Sequence, residues 1–334
     1  MGVATFTPTS PVEIVSSLAQ FLEDEGWTVD LNAESLFSYS TSYVPTAGRR
    51  LHVHKDELHA ELFGFVGNSK LRSYYPISYR SNAVGLAVAT GLDAGANWDK
   101  QPGACLATNG NGLGPILNNV ADGGALHVYA WEDTPAVALV LEISAGVFQW
   151  LVWGRITPFG VLAGGEFMTG SYNDYGLDVG PFVQGYDVSS GTYQACFLRS
   201  DLGGAYPFAW FLPTAYGAER RSRWPLGNAL QYPPYANTTG QAYAHQMTLN
   251  GLLGGLPSSF LGLSPLLPLP VLAETGTGTD LWMPMGTIPN IRYVDMTNLL
   301  AGEEIVLGTD TWVCWPLASR TESDPRGLAV LVEV

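Results

Sequence analysis

Charged side chains are scarce in this chain: fifteen Lys and Arg and thirty Asp and Glu among 334 residues, or 13%. Globular domains usually carry about a quarter. So little charge leaves a free monomer poorly covered, which points to a subunit that buries much of its outside against partners. Cations are the scarcer sign. No Lys follows Lys100 and the formal net charge is -15, which excludes a broad cationic footprint for nucleic acid. The one basic cluster, Arg220, Arg221 and Arg223, is expected in a solvated loop or against the acids of a neighbour, ahead of a phosphate or lipid headgroup.

Cysteine is also rare. Cys105, Cys196 and Cys314 are odd in number, far apart and outside any C-x-x-C spacing, so neither a disulfide framework nor a zinc cluster of thiolates is expected. Buried free thiols and a reducing cytosol are the reading. The opening MGVATFTPTSPVE has no basic start and no apolar core, so no secretory signal is expected. Two apolar runs invite a membrane reading and both fail. Glu142 and Gln149 interrupt residues 136–153, where Val137, Leu139, Leu141 and Ile143 fall at period two, as in core sheet. Residues 251–273 contain Pro257, Pro265, Pro268 and Pro270, each removing an N–H that a spanning helix needs.

Catalytic signatures are missing as well. There is no G-x-S-x-G, no Walker loop, no H-E-x-x-H, and no G-x-G-x-x-G between a strand and a helix. NGNGLG at Asn109 to Gly114 runs into Pro115 and is expected to be a surface turn. The sequon at Asn237 carries no meaning without a secretory signal. Repeats of 20–50 residues and heptads are absent, which excludes solenoids, propellers and coiled-coil shafts.

What the chain does have is 46% hydrophobic residues with 39 Gly and 22 Pro. Ser10 and Glu13 bracket Pro11 as a capping box, and Ile14, Val15, Leu18, Phe21 and Leu22 share one face, so an amphipathic helix is expected from Pro11 to Glu25, ended by Gly26. Trp27, Val29 and Leu31 then alternate with Thr28 and Asp30 as a half-buried strand. Strand signals dominate from LFSYSTSY through VFQWLVWGRI, and return in NIRYVDM, EIVLG, TWVCWPL and GLAVLVEV. Between them, residues 164–273 fade into Gly, Pro, Tyr and Trp, which a free-standing domain rarely tolerates as ordered loop. The expected fold class is α+β: mainly antiparallel sheet, an N-terminal amphipathic helix, and long irregular loops rich in Gly, Pro and aromatics. Its expected divisions are an α/β and antiparallel β domain over 1–163, a loop-rich insertion over 164–273, and a C-terminal β segment over 274–334 that completes the core.

Candidate sites follow from residue type. His52 and His54 share a strand face with His59 close behind, a spacing able to set imidazoles around a metal. A polar strand face is the leading expectation for them, because no Cys or carboxylate sits at a ligand-like offset, while Asp56 and Glu57 in the turn keep the metal reading open. His127 and His245 look isolated. Glu132, Asp133, Glu142, Glu166, Asp174 and Asp178 lie among aromatics, which admits acid-base hydrolysis or sugar stacking, with plain packing ahead of both. For subunit contacts the candidates are Leu252, Leu253, Phe260, Leu263, Leu266 and Leu267 of the Pro-rich loop, with Trp210, Phe211, Trp224, Tyr235 and the three arginines. Burial within one subunit is the competing reading for each.

The segment NIRYVDMTNLLAGEEIVLGTDTWVCWPLASR resembles the ends of virion structural proteins of tailed bacteriophages, where an Arg-containing strand, a loop and G-x-D-x-W-x-x-x-P recur. ANWDKQPG at Ala96 to Gly103, and LEISAGVFQWLVWGRI followed by LAGGEFMTG, resemble the same group. The capped helix leading into GWTVDL resembles the opening of tail-terminator and tail-completion proteins. This resemblance implies a non-enzymatic, cofactor-free subunit that assembles in the host bacterial cytoplasm and joins copies of itself and other tail or neck proteins in a ring of the virion, with DNA passing unbound and no membrane span. A baseplate, tail-tip or decoration protein that binds a cell-surface glycan through Trp210 and Trp224 is the alternative.

Overall fold

The computed structural model describes residues 1–37, 46–66, 82–98, 101–103, 115–117, 120, 124–161, 164–174, 177–179, 196–200, 209–210, 221–223, 265–274, 282–317 and 326–333. The chain opens with β1 (Gly2–Phe6), α1 (Pro11–Asp24), β2 (Thr28–Phe37), β3 (Thr46–Lys55), β4 (Leu58–Val66), β5 (Asn82–Ala89) and β6 (Ile116–Leu117). It continues with β7 (Leu126–Trp131), β8 (Ala136–Ser144), β9 (Val147–Arg155), β10 (Thr157–Pro158), β11 (Gly164–Gly170), β12 (Tyr172–Asp174), β13 (Leu177–Val179), β14 (Cys196–Ser200), β15 (Ala209–Trp210) and β16 (Arg221–Arg223). It ends with β17 (Leu267–Glu274), β18 (Trp282–Asp295), β19 (Glu303–Leu307), β20 (Asp310–Pro316) and β21 (Arg326–Glu333).

Every strand pair among the described residues is antiparallel, so the mainly antiparallel reading holds. A central sheet runs β1-β7-β8-β9-β11-β14-β15, an N-terminal sheet β2-β3-β4-β5-β6, and a C-terminal sheet β16-β17-β18-β21-β20-β19, with β10 beside β18 and β12-β13 as a separate hairpin. The central sheet crosses the expected division at 163/164, because β11 pairs with β9. The C-terminal sheet likewise spans 273/274 through the pairing of β17 with β18. No helix among the described residues is long and apolar enough to cross a membrane.

Helix α1 forms where the capping chemistry demanded. Ser10 is the N-cap, its Oγ accepting from Glu13 N, and Pro11 takes the first helical position. The reciprocal arm of the box shifts by one residue, since Glu13 Oε2 accepts from both the N–H and the hydroxyl of Thr9. At the other end Gly26, at φ 76°, supplies the left-handed turn that a side chain would strain. Gly26 N–H donates to Glu23 O and Trp27 N–H to Leu22 O, a Schellman closure that tucks Trp27 against Leu22 in the core.

Both faces of the central sheet are buried, and this decides the architecture. Val137, Leu139, Leu141, Leu151 and Trp153 join α1 and one face of the N-terminal sheet in a first core. Ala138, Val140, Phe148, Trp150 and Val152 on the opposite face join the C-terminal sheet in a second. Three indoles fasten that second seam: Trp131 donates to Leu331 O at 3.2 Å, Trp150 to Pro316 O at 3.0 Å, and Trp315 to the Tyr129 hydroxyl at 2.9 Å. Burial pushes the Tyr129 phenol up to about 12, so it stays protonated through the working range. The far face of the C-terminal sheet carries a smaller cluster of Val294, Met296, Leu299, Trp312, Cys314, Ala329 and Leu331, with the Arg292 guanidinium 4.5 Å over the Trp312 ring.

Candidate functional site

Strand β3 alternates strictly. Leu51 and Val53 enter the first core, so Arg50, His52 and His54 point to the opposite, outer face of the N-terminal sheet. Strand β4 does the same: Gly64 sits under Pro11 and Val15 of α1, which leaves His59, Glu61, Phe63 and Phe65 on the outer side. Register then pairs His52 with Glu61 and His54 with His59 across the two strands. This outer face is covered. Trp98 stacks on Phe63 at 6.2 Å and lies over Gly85, where a Cβ would collide with the indole. Gln101 ties the covering loop together by accepting from Asp93 N and donating to the carbonyls of Asp93 and Asn97.

Beneath that cover runs a continuous polar line. Arg50 Nε donates to Glu61 Oε1 at 2.6 Å and Arg50 Nη1 to Ala96 O at 3.0 Å. The other carboxylate oxygen, Glu61 Oε2, lies 2.8 Å from His52 Nδ1. A carboxylate only accepts, so His52 Nδ1 carries its proton, and in the neutral ring His52 Nε2 is left with a lone pair. His59 Nδ1 lies 3.0 Å from that nitrogen. The His54 ring stacks on His59 at 4.9 Å, and His54 Nδ1 is 2.7 Å from Asp30 Oδ2. His52 and Glu61 are fully buried, whereas Asp30 and His54 reach solvent.

Asp30 arrives by a bulge. Pairing of β2 with β3 slips between Val29 and Leu31, so Asp30 is the extra residue and turns toward the histidines. Two sequence expectations are corrected by this one feature. Leu31 is placed opposite His52 instead of continuing the inward alternation of Trp27 and Val29. A carboxylate also joins the histidines, and it is Asp30, not the exposed turn residues Asp56 and Glu57. Asp30, His54 and His59 each bring a ligand-type atom within 4.8 Å of the others.

The remaining candidates are spread out. Glu166 pairs with Arg155 at 3.0 Å, Glu142 accepts from Gly146 N, Glu132 lies 3.9 Å from Lys55, and Asp174 and Asp178 fall on the β12-β13 hairpin. Glu166, Glu142 and Glu132 thus each hold a structural partner. His127 lies 4.3 Å from the Trp315 ring, and burial lowers its pKa. Cys314 is a buried free thiol, pushed up to about 12 by burial and by Glu303. Leu266 packs against the cluster around Trp312, and Leu267 opens β17 half-buried. Trp210 falls on β15 and Arg221 and Arg223 on β16 as backbone positions. Leu252, Leu253, Phe260, Leu263, Phe211, Trp224, Tyr235 and Arg220 lie outside the described residues.

A second feature is apolar and open. Strand β19 ends the C-terminal sheet, and Leu300, Val306 and Leu307 beside and along it are 63%, 68% and 48% exposed. Gly308, at φ 69°, makes the turn into β20. The sheet's other end is β16, so its two terminal strands carry Glu303 and Glu304 at one side and Arg221 and Arg223 at the other. No protein-family model matches the chain, and comparison with curated proteins finds no match.

Proposed function

We propose that this protein is a non-enzymatic structural subunit of a tailed-bacteriophage particle, built into a tail or neck ring by packing of identical copies. The observation that carries the reading is the terminal strand β19, with Leu300, Val306 and Leu307 held in water around a sheet edge. Exposed strand edges pair with other chains unless they are blunted. Covering this one with a neighbour would satisfy its backbone and remove apolar surface worth about 25 cal/mol per Å² from water. Opposite charges on the two terminal strands favour a head-to-tail contact, β16 of one copy beside β19 of the next, and such contacts form a ring where the rotation between copies closes. A net charge of -15 also suits a channel wall to which passing DNA does not adhere.

The segments that carry the phage resemblance serve packing. In the C-terminal one, Arg292 lies over Trp312 and the Pro316 carbonyl receives Trp150. In ANWDKQPG, Trp98 and Gln101 build the cover of the outer face. Roles of that kind suit a subunit more than a catalyst. The test is sedimentation velocity with negative-stain imaging of the tag-free chain, alone and mixed with neck and tail proteins. Closed rings are expected, dispersed by Val306→Asp with Leu307→Asp, dispersed again by Arg223→Glu, and restored when Glu304→Arg accompanies Arg223→Glu. A monomer at micromolar concentration under both conditions would overturn the proposal, as would antibodies that fail to label phage particles.

A further inference from the structure

The histidine group on the outer face of the N-terminal sheet has a geometry more particular than a solvated polar face requires. In a tetrahedral zinc site with bonds of about 2.0–2.1 Å, ligand atoms stand about 3.4 Å apart. The contacts here bracket that edge: 2.7 Å from His54 Nδ1 to Asp30 Oδ2, 3.0 Å from His52 Nε2 to His59 Nδ1, and 3.8 Å from His52 Nε2 to Asp30 Oδ2. We propose that Asp30, His54 and His59 bind a divalent first-row transition metal of the zinc class, with His52 Nε2 the donor in reach of its fourth position.

Three features of the molecule support this. The donor set is imidazole with one carboxylate, which suits zinc, cobalt or nickel, whereas magnesium and calcium want oxygen. The span of 4.8 Å across Asp30, His54 and His59 closes onto an ion with shifts of about 1 Å, and the partly exposed Asp30 and His54 side chains are able to move. The supporting shell is already built. Metal-bound imidazoles characteristically donate their second N–H to a carboxylate, and His52 Nδ1 donates to the fully buried Glu61, itself fixed by Arg50. The ligands come from β2, β3 and β4, so a bound ion clips three strands together at the Asp30 bulge.

The test uses tag-free protein stripped with a chelator and then titrated with zinc chloride, followed by calorimetry and thermal melting, with magnesium chloride as the hard-ion control. One zinc per chain is expected, with a melting temperature that climbs with free zinc and ignores magnesium. Cobalt in its place should give the visible absorption of a four-coordinate nitrogen and oxygen site. Asp30→Ala and His54→Ala, both partly exposed and away from the cores, should abolish binding while leaving the metal-free melting temperature within a degree or so of the parent. Glu61→Gln, acting through His52, should weaken affinity by about 10–100-fold. The inference fails if zinc leaves melting unchanged, or if Asp30→Ala and His54→Ala bind zinc as the parent does. Ring formation is independent of either result.

Discussion

The two outer sheets meet their surroundings in opposite ways. The N-terminal sheet buries charge: Arg50, His52 and Glu61 lie on its outward face, each with a partner, under a loop anchored by Trp98 and Gln101. The C-terminal sheet leaves grease in water: its outward cluster around Trp312 thins toward β19, where Val306 and Leu307 stand exposed. Burial therefore does not follow polarity here. Among the described residues, one layer covers its polar outward face while the other leaves apolar side chains exposed at its last strand, and the proposed assembly would cover them.

Removing Glu61 should have the largest effect. If the outward face of the N-terminal sheet is sealed, Glu61→Ala strands a buried guanidinium and should cost about 3–5 kcal/mol in chemical denaturation. Arg50→Met combined with Glu61→Leu should recover most of that loss, because apolar replacements of a buried ion pair are often neutral. A single-substitution cost under about 1 kcal/mol is what a solvated surface pair would give, and would erase the contrast between the layers.

Replacing Val306 and Leu307 tests the other side. Their side chains touch little within the chain, so Val306→Ser with Leu307→Ser should change the stability of the isolated subunit by no more than about 0.5 kcal/mol. Solubility and self-association are where the pair should register. A large stability loss would mean that the edge is already part of this subunit's own core.

Much of this fold can be read from the residues, and what cannot has physical reasons. The helix was legible because its signals are local: Ser10, Pro11 and Glu13 at one end, Gly26 at the other. The strands of the central sheet were legible as core from their period of two. Their burial on both faces was not, because a strand's sequence says how apolar each face is and not which other sheet will cover it. Strand β1 escaped notice because GVATF is short and gains its place only by pairing with β7. His52, His54 and His59 were expected on one face and they meet there. Asp30 was missed, since its arrival depends on a bulge that no spacing announces. Glu61 had a visible signal, a lone carboxylate in the apolar run of β4, whose meaning appears only in the register with His52.

The smallest expected effect contrasts two glutamates of the same N-terminal layer. Glu61 is sealed between Arg50 and His52, whereas Glu13 is fully exposed at the start of α1, where hydrogen bonds from the Thr9 hydroxyl and then the Thr9 N–H hold its carboxyl below the ordinary glutamate range. A group whose folded-state pKa is depressed adds stability above its unfolded pKa, and that contribution disappears as pH falls through the folded value. The stability difference between the parent and Glu13→Ala should therefore be small and favourable at neutral pH and shrink toward zero in acid. Salt should diminish it too, as it does any exposed charge at a helix start. A difference that persists unchanged into acid would show that Glu13 supports α1 by packing of its stem instead of by its charge, and the cap would then resemble the sealed face more closely than the open one.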